Sequence, residues 1–247
     1  QAQLFFLALT RILAVLVNIP VLAGRMVPNL VRIGLGLILA LVLLPWEVLP
    51  ADADSIPLLG FALAIAKEIL TGTLAGFGAA LTFGAVQIAG EVMSVSSAFG
   101  SARILNPAFQ NQGTSYSSLL SVLAIMLFLL MNGHHQALVV VRRTFEVFPI
   151  NSSITAYSMG SLMVTSAQLV TAGVHLALPL VSAVLLVEIA FGLLARVAPQ
   201  VQVFFLAIPR KAGLALIGLG IGLNVLFPFI IHLYEGLGER MMALLAG

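Results

Sequence analysis

The sequence predicts an all-α integral membrane protein that forms a single domain over residues 1–247. No Asp, Glu, Lys or Arg occurs in the 41 residues from Val147 through Val187, and the same absence recurs over Ile69–Gly90 and Ala212–Tyr234. Each stretch is long enough to cross a hydrocarbon layer of about 30 Å as a helix that rises about 1.5 Å per residue. The chain is 61% hydrophobic and 8% charged, whereas a soluble domain is about 25% charged. The apolar runs do not alternate with a period of two residues, which favours helices over a membrane β-barrel.

Apolar runs between helix breakers define six helical regions. They are, in order, about Leu4–Ala23, Leu30–Leu44, Ile56–Gly90, Ser117–Val141, Gly160–Leu194 and Ala212–Leu233. The second is short and ends before Pro45, whereas the third and fifth exceed the roughly 20 residues that a perpendicular crossing needs. Pro20, Pro179 and Pro228 fall inside apolar stretches and should kink them, because proline lacks a backbone donor and clashes with the preceding turn. We therefore expect kinked and broken helical hairpins.

Positive charges give only a partial topology. Because cytoplasmic loops are enriched in Lys and Arg, Arg25 and Arg32 are expected on the cytoplasmic side, and the acidic turn that contains Glu47 on the other side. If successive helical regions cross the membrane in alternating directions, Arg142 and Arg143 lie on the non-cytoplasmic side, against this enrichment of positive charge in cytoplasmic loops. Either the enrichment fails at this connection or some segments do not cross the membrane fully, and we favour the second explanation.

Small residues repeat along the third helical region. Gly72, Gly76, Ala80 and Gly84 are spaced by four residues, so they lie on one side of a helix. In lipid, small residues let helices approach closely and associate through packing. We expect these four residues to form a helix-packing surface, and the competing explanation is a chance alignment among the 22 glycines of the chain.

Four charged residues occur within apolar regions: Arg11, Lys67, Glu68 and Glu188. An ionised group in a membrane helix is costly unless it is paired or hydrated, so these side chains should face protein or water. They could form a proton relay, or they could pair with neighbours or extend to an interface. We favour pairing or extension, because the four residues are dispersed along the sequence.

Other function classes lack support in the sequence. The basic residues are scattered and form no stripe, which argues against nucleic-acid binding. Without cysteine there is no disulfide, thiolate ligand or cysteine nucleophile. His134 and His135 are adjacent and point in different directions on a helix, so they are poorly placed to share a metal ion. No serine-hydrolase elbow, zinc-protease motif or phosphate-binding loop occurs. We expect no metal, no cofactor and no enzyme activity.

The segment from Ser94 to Ser118 differs from the rest of the chain. It mixes Ser, Gly, Asn and Gln with apolar side chains and contains one charge, Arg103, so it is a poor candidate for a lipid-facing span. Non-helical backbone at membrane depth is tolerated only inside protein or beside a water-filled cavity. A buried or pore-facing loop and an ordinary solvent-exposed loop both remain open.

Five motifs occur in order along the chain. They are Gln87-Ile-Ala-Gly-Glu91, Leu105-Asn-Pro107, Phe128-Leu-Leu-Met-Asn-Gly-His134, Phe145-Glu-Val-Phe-Pro149 and Arg196-Val-Ala-Pro-Gln200. With these motifs the chain resembles the FliR family of flagellar export-gate proteins over essentially its whole length. The SctT family, the injectisome counterpart, shares much of the pattern and is the near alternative.

This resemblance implies a subunit of a type III protein export gate in the bacterial inner membrane, within the flagellar basal body. It implies assembly with FliP-type and FliQ-type membrane subunits into a helical spiral, together with FlhA-type and FlhB-type components. Such a gate conducts unfolded protein substrates. In the family some apparent membrane spans are lifted partly out of the bilayer plane, which would account for the topology conflict.

The resemblance also assigns roles to particular residues. The loop matching Ser94–Phe109 lies inside the gate and helps to seal it, and an apolar cluster can close a pore by excluding water. The candidate sealing residues are Met93, Phe99, Ile104, Leu105 and Phe109; alternatively, they pack the loop against its own helices. Arg196, Pro199 and Gln200 are expected to shape a helix junction and a subunit contact.

Two other functions compete with an export gate. A secondary transporter of small solutes would usually show repeated halves and polar groups near the membrane midplane, and neither is apparent in the sequence. A purely structural membrane scaffold would share the glycine faces but would not conduct anything.

Overall fold

A computed structural model describes residues 2–23, 27–43, 57–97, 115–150, 159–197 and 203–245. All regular structure in these ranges is α-helical. The helices are α1 (Ala2–Asn18), α2 (Pro20–Ala23), α3 (Asn29–Leu43), α4 (Leu58–Ser96), α5 (Ser115–Leu130), α6 (Gly133–Val147), α7 (Met159–Val197), α8 (Val203–Glu235) and α9 (Leu237–Ala243). The predicted all-α fold is confirmed.

Within these ranges, three helical stretches are long and apolar enough to cross a membrane: Leu58–Ser96, Met159–Val197 and Lys211–Glu235. Helices α5 and α6 give a fourth stretch if they act as one span, although they are bent by 69°. At about 1.5 Å per residue, the 39-residue helices α4 and α7 are each longer than the hydrocarbon layer is thick. The helix lengths and compositions are those of a membrane protein.

Two of the predicted helical regions are broken, one at an expected position and one at an unexpected position. Helix α1 ends at Asn18 and Pro20 begins the separate helix α2, whereas α7 and α8 continue through Pro179 and Pro228. The fourth predicted region, Ser117–Val141, is divided between α5 and α6. Asn132 precedes Gly133 there and has a left-handed backbone with φ of 55°, a conformation that asparagine tolerates better than most residues.

The described residues belong to two compact units, and the first comprises residues 1–82, 132–166 and 234–247. Its core is built on α1, whose buried side chains repeat at helical spacing: Leu4, Leu7, Ala8, Arg11, Ile12, Val15 and Leu16. Helix α9 packs on α4, because a Cβ atom added at Gly78 would lie 2.8 Å from the Cα of Met241. Helix α1 thus provides the main buried face of this unit.

Helix α3 is attached to the first unit by a narrow contact. Only Gly36 and Ala40 of this helix are buried, and a Cβ atom at Gly36 would lie 2.5 Å from a terminal carbon of Leu13 in α1. Large apolar side chains on the rest of the helix, including Leu30 and Leu41, are exposed. Such a surface is suited to lipid or to another membrane protein rather than to water.

The second unit comprises residues 83–131 and 167–233. The end of α4 packs closely against α5, because a Cβ atom at Gly90 would lie 2.8 Å from the Cα of Ser117. The rings of Phe83 and Phe128 meet edge to face, with centroids 5.2 Å apart. Helix α7 approaches α4 at Gly173, where an added Cβ atom would lie 2.5 Å from the backbone oxygen of Ala85.

The glycine stripe of α4 lies partly in a helix crossing. A Cβ atom at Gly72 would lie 2.5 Å from the backbone oxygen of Arg11, and one at Gly76 would lie 2.8 Å from the backbone oxygen of Val15. Both glycines therefore allow α1 and α4 to approach backbone to backbone. Ala80 is half-buried, and Gly84 has no atom of another element within 4 Å of an added Cβ.

The Gly72→Ala variant should lower the free energy of unfolding by about 1–3 kcal/mol, because its methyl group overlaps the α1 backbone. The matched variant Gly84→Ala adds the same methyl group to the same helix in open space. It should leave stability unchanged or raise it by up to about 1 kcal/mol through helix propensity. Denaturation of both purified variants in detergent checks this, and equal midpoints would contradict the assigned helix crossing.

Candidate functional site

Most of the predicted sealing loop lies outside the described residues. This applies to Phe99, Ile104, Leu105 and Phe109. Met93 is described: it lies in the last turns of α4, is 2% exposed and lines an apolar cavity of about 310 Å³ together with α5, α7 and α8. Met93 therefore lies in an apolar environment at the point where α4 leads into the loop.

The helices on either side of this loop are joined near its base. The Ser117 hydroxyl of α5 donates a 2.8 Å hydrogen bond to Oε1 of Glu91 in α4. The bond connects two partly buried side chains next to the tight Gly90–Ser117 contact. The end of α4 and the start of α5, which flank residues 98–114 in the sequence, are thus in direct contact with each other.

A buried ion pair is the most polar feature of the first unit. Arg11 of α1 pairs through Nε with a carboxylate oxygen of Glu68 in α4, and both side chains are 0% exposed. The carbon of the guanidinium group lies 4.4 Å from the centre of the Phe145 ring, within the range of a cation–π contact. The ion pair agrees with the prediction that charged residues in apolar regions pair with neighbours and do not form a proton relay.

Arg11 also caps a helix. Its Nη1 donates hydrogen bonds to the backbone oxygens of Thr144 at 3.0 Å and Phe148 at 2.7 Å, at the end of α6. The Thr144 oxygen also accepts the backbone N–H of Phe148, and the last carbonyl groups of a helix carry a partial negative charge that a cation stabilises. One guanidinium group therefore binds α4 through a carboxylate and α6 through two carbonyl groups.

A second ion pair between apolar helices is less buried. Lys211 of α8 pairs with Glu188 of α7, and both side chains are roughly one-third exposed. This contact joins two neighbouring helices of the second unit. Glu188 thus has a cationic partner, as predicted for an acidic residue in an apolar region.

Only part of the predicted helix junction is described. Arg196 is exposed in the last turn of α7, which ends at Val197. Pro199 and Gln200 lie outside the described residues. The roles of these three residues therefore remain predictions.

Helix α6 has two contrasting faces. Ala137, Val141 and Phe145 are buried, whereas Arg142 and Arg143 are exposed on the other side. Nε of Arg142 lies 3.3 Å from a carboxylate oxygen of Glu146, one helical turn away. An exposed face with these charges is energetically unsuited to hydrocarbon.

The described part of the chain contains no group of three or more His, Asp or Glu side chains arranged to hold a metal ion. His134 and His135 lie side by side at the start of α6 with ring centroids 4.3 Å apart, and both are exposed.

Comparison with known proteins identifies the family. The profile of a family described as bacterial export proteins, family 1, matches residues 2–237. The chain belongs to this family. Flagellar biosynthetic protein FliR of Pectobacterium carotovorum is 30% identical over 94% of this chain and 88% of its own length. The protein of the same name in Escherichia coli is 30% identical over 94% and 89%. Yop proteins translocation protein T of Yersinia pestis is 30% identical over 85% and 82%.

Two structural features of this export-family chain are not predicted from its sequence. The bend between α5 and α6 has a local signal, the Asn132-Gly133 pair, which is typical of turns. The capping of α6 by Arg11 has no local signal, because Arg11 and Thr144 are separated by 133 residues. A lone arginine in an apolar run indicates that a partner exists but does not identify it.

Removing one partner of the buried pair should be strongly destabilising. The Glu68→Met variant leaves Arg11 charged in the core without its carboxylate, which costs about 3–5 kcal/mol of unfolding free energy. The control Glu146→Met breaks the exposed pair with Arg142 on α6 and should cost about 0.5 kcal/mol or less. Denaturant titration of both variants measures the difference.

The double variant Arg11→Met/Glu68→Met completes the comparison. It should be less destabilised than the sum of the two single variants, because the two changes together leave neither Arg11 nor Glu68 as a buried charge without its partner. Additive single effects, or equal costs for Glu68→Met and Glu146→Met, would contradict a buried ion pair.

Proposed function

We propose that the chain is a subunit of the flagellar type III protein export gate and forms, with FliP-type and FliQ-type subunits, a channel for unfolded export substrates. The observation that carries this proposal is the family match over residues 2–237, together with relatives named flagellar biosynthetic protein FliR that align over most of both chains. The gate lies in the bacterial inner membrane within the flagellar basal body and works with FlhA-type and FlhB-type components. The chain performs no chemistry of its own.

The surfaces of the described helices support assembly with other subunits. Helix α3 has 15 residues, about 22 Å of helix, which is short for a span across about 30 Å of hydrocarbon. Its exposed apolar side chains contrast with the exposed charges of Arg142 and Arg143 on α6. A chain alone in lipid would place those charges against hydrocarbon, whereas an assembly can cover them with protein or water. This also accounts for the charge conflict in the sequence-based topology.

Closure of the channel is assigned to the loop after α4. Phe99, Ile104, Leu105 and Phe109 form an apolar constriction that excludes water when the gate is idle, and Met93 supports it from α4. The burial of Met93 and the Glu91–Ser117 hydrogen bond at the base of the loop support this role. Without such a seal, a conduit for unfolded protein would also pass ions.

The second candidate is the corresponding subunit of an injectisome. It is favoured by the 30% identity to Yop proteins translocation protein T. Deletion of the gene distinguishes the two, because a flagellar subunit is required for swimming whereas an injectisome subunit is required for secretion into host cells. A solute transporter is less well supported, because Glu68 and Glu188 are each paired with a cation.

Purification tests the proposed assembly. The tagged full-length chain, produced together with FliP-type and FliQ-type proteins from the same bacterium, should elute as one discrete complex that contains all three. The free chain should be less stable, because its exposed apolar and charged faces lack partners. A monomer that transports a small solute after reconstitution would contradict the gate.

The proposed seal predicts an ion leak. In cells, Ile104→Gly combined with Leu105→Gly should increase ion flux through the assembled gate several-fold or abolish export, because two apolar side chains leave the constriction. The control, Gln110→Gly with Gln112→Gly, adds the same two glycines to the same segment but removes no apolar side chain. A membrane-potential dye and a secretion assay measure both effects. Normal ion flux together with normal export in the first variant would exclude the seal.

A further inference from the structure

The second unit contains an apolar groove to which the proposed export function assigns no occupant. This groove is the 310 Å³ cavity that Met93 lines. Along α8 its lining residues recur every three to four positions, from Leu214 through Gly218 and Gly222 to Leu226. At about 1.5 Å per residue, they extend over about 18 Å of that helix. The cavity is therefore elongated and follows one stripe of α8.

Missing side chains create the space. A Cβ atom at Gly218 would overlap a terminal methyl group of Leu180 in α7, so a larger residue there requires that side chain to move. At Gly222 an added Cβ would meet only Leu226 of its own helix, at 3.9 Å. The absence of a side chain at Gly222 thus leaves space that the packing of the helices does not require.

Water is a poor occupant of this groove. The lining side chains are aliphatic except for Met93, Pro179 and Tyr116. A buried water molecule needs two to four polar partners, and cavities lined by apolar side chains stay dry. An empty groove would forfeit dispersion contacts along its whole length. An apolar occupant would restore those contacts.

The size and position of the groove indicate which apolar group enters it. Ile217, Ile221 and Val225 line it and are 63%, 70% and 58% exposed, and they belong to the stretch Lys211–Glu235, which is long and apolar enough to span a membrane. When this stretch crosses a bilayer, the groove is continuous with a surface that hydrocarbon reaches. A volume of about 310 Å³ lies at the lower end of the range for small-molecule sites, about 300–1,000 Å³. Its elongated form along α8 suits one extended aliphatic chain.

We infer that this groove binds one acyl chain of a membrane phospholipid along α8. The acyl chain enters from the bilayer between α7 and α8, fills the space beside Gly222 and contacts Met93 near the base of the loop. None of the described residues that line the groove is charged, so the site selects for a hydrocarbon tail and not for a headgroup. This inference is independent of the export function.

Photo-crosslinking tests the site. The full-length chain is reconstituted in nanodiscs of phosphatidylethanolamine and phosphatidylglycerol that contain a phosphatidylethanolamine with a diazirine in one acyl chain. After illumination, mass spectrometry should place crosslinks on Ile217, Ile221 and the facing residue Ala183. Leu216 is exposed on the same helix but does not line the groove, and it should be labelled less.

Variants at two glycines separate the groove from general lipid contact. Gly222→Leu should fill the groove and reduce labelling at Ala183 by about tenfold, because the bound chain is displaced. Gly220→Leu adds the same side chain to the same helix, where no atom lies within 4 Å of an added Cβ, and it should leave that labelling unchanged. If Gly222→Leu does not fold, Ala183→Phe fills the groove from α7 and should reduce labelling at Ile221.

Two results would overturn the inference. In the first, Leu216 and the groove residues are labelled equally, and filling the groove does not change that labelling. This result indicates nonspecific lipid contact. The second is groove labelling that disappears when the chain is assembled with its partner subunits, which indicates that a partner side chain occupies the groove. Selective labelling that persists in the assembled complex supports an acyl-chain site.

Discussion

The first unit depends on a close crossing of α1 and α4 that places Arg11 within reach of Glu68. Gly72 lies one helical turn after Glu68 on α4 and lies directly against the backbone of Arg11. A larger residue at Gly72 would push the helices apart, and the guanidinium of Arg11 would then lie too far from the carboxylate of Glu68 to pair with it. The ion pair thus depends on the backbone contact. Small residues allow the approach, and the charges fix which residues face each other.

Burying this pair is expensive, so the surrounding contacts matter. Moving two ions out of water costs several kcal/mol each even after relaxation of the protein. The carboxylate of Glu68, two carbonyl groups of α6 and the face of Phe145 all contact the guanidinium of Arg11. The Thr144 oxygen also accepts the backbone N–H of Phe148, so Arg11 adds a charged donor to a helix end that carries partial negative charge. One side chain therefore connects three helices.

The sequence predicts the helices well because their signals are local. Uninterrupted apolar runs indicate α4, α7 and α8, and Pro20 indicates the break after α1. The bend at Asn132 has a local turn signal that the long apolar pattern around it obscures. The contact of Arg11 with α6 and the groove beside Gly222 depend on residues distant in the chain, and periodicity contains no information about such pairs. Of the sealing residues predicted from the family resemblance, Met93 alone lies in the described part of the chain.

Glycine illustrates why spacing alone cannot define a membrane-protein interface. Gly72 and Gly84 belong to one stripe with a period of four, yet one lies against a backbone and the other has open space around its Cα. Gly218 and Gly222 are also four residues apart, and one contacts Leu180 whereas the other borders a cavity. The period specifies which residues share a helix face, but the function of each depends on the atoms opposite. In hydrocarbon a bare stretch of helix can be covered by a second helix, by a lipid chain or by another subunit. Adjacent turns of a single helix can therefore serve different partners.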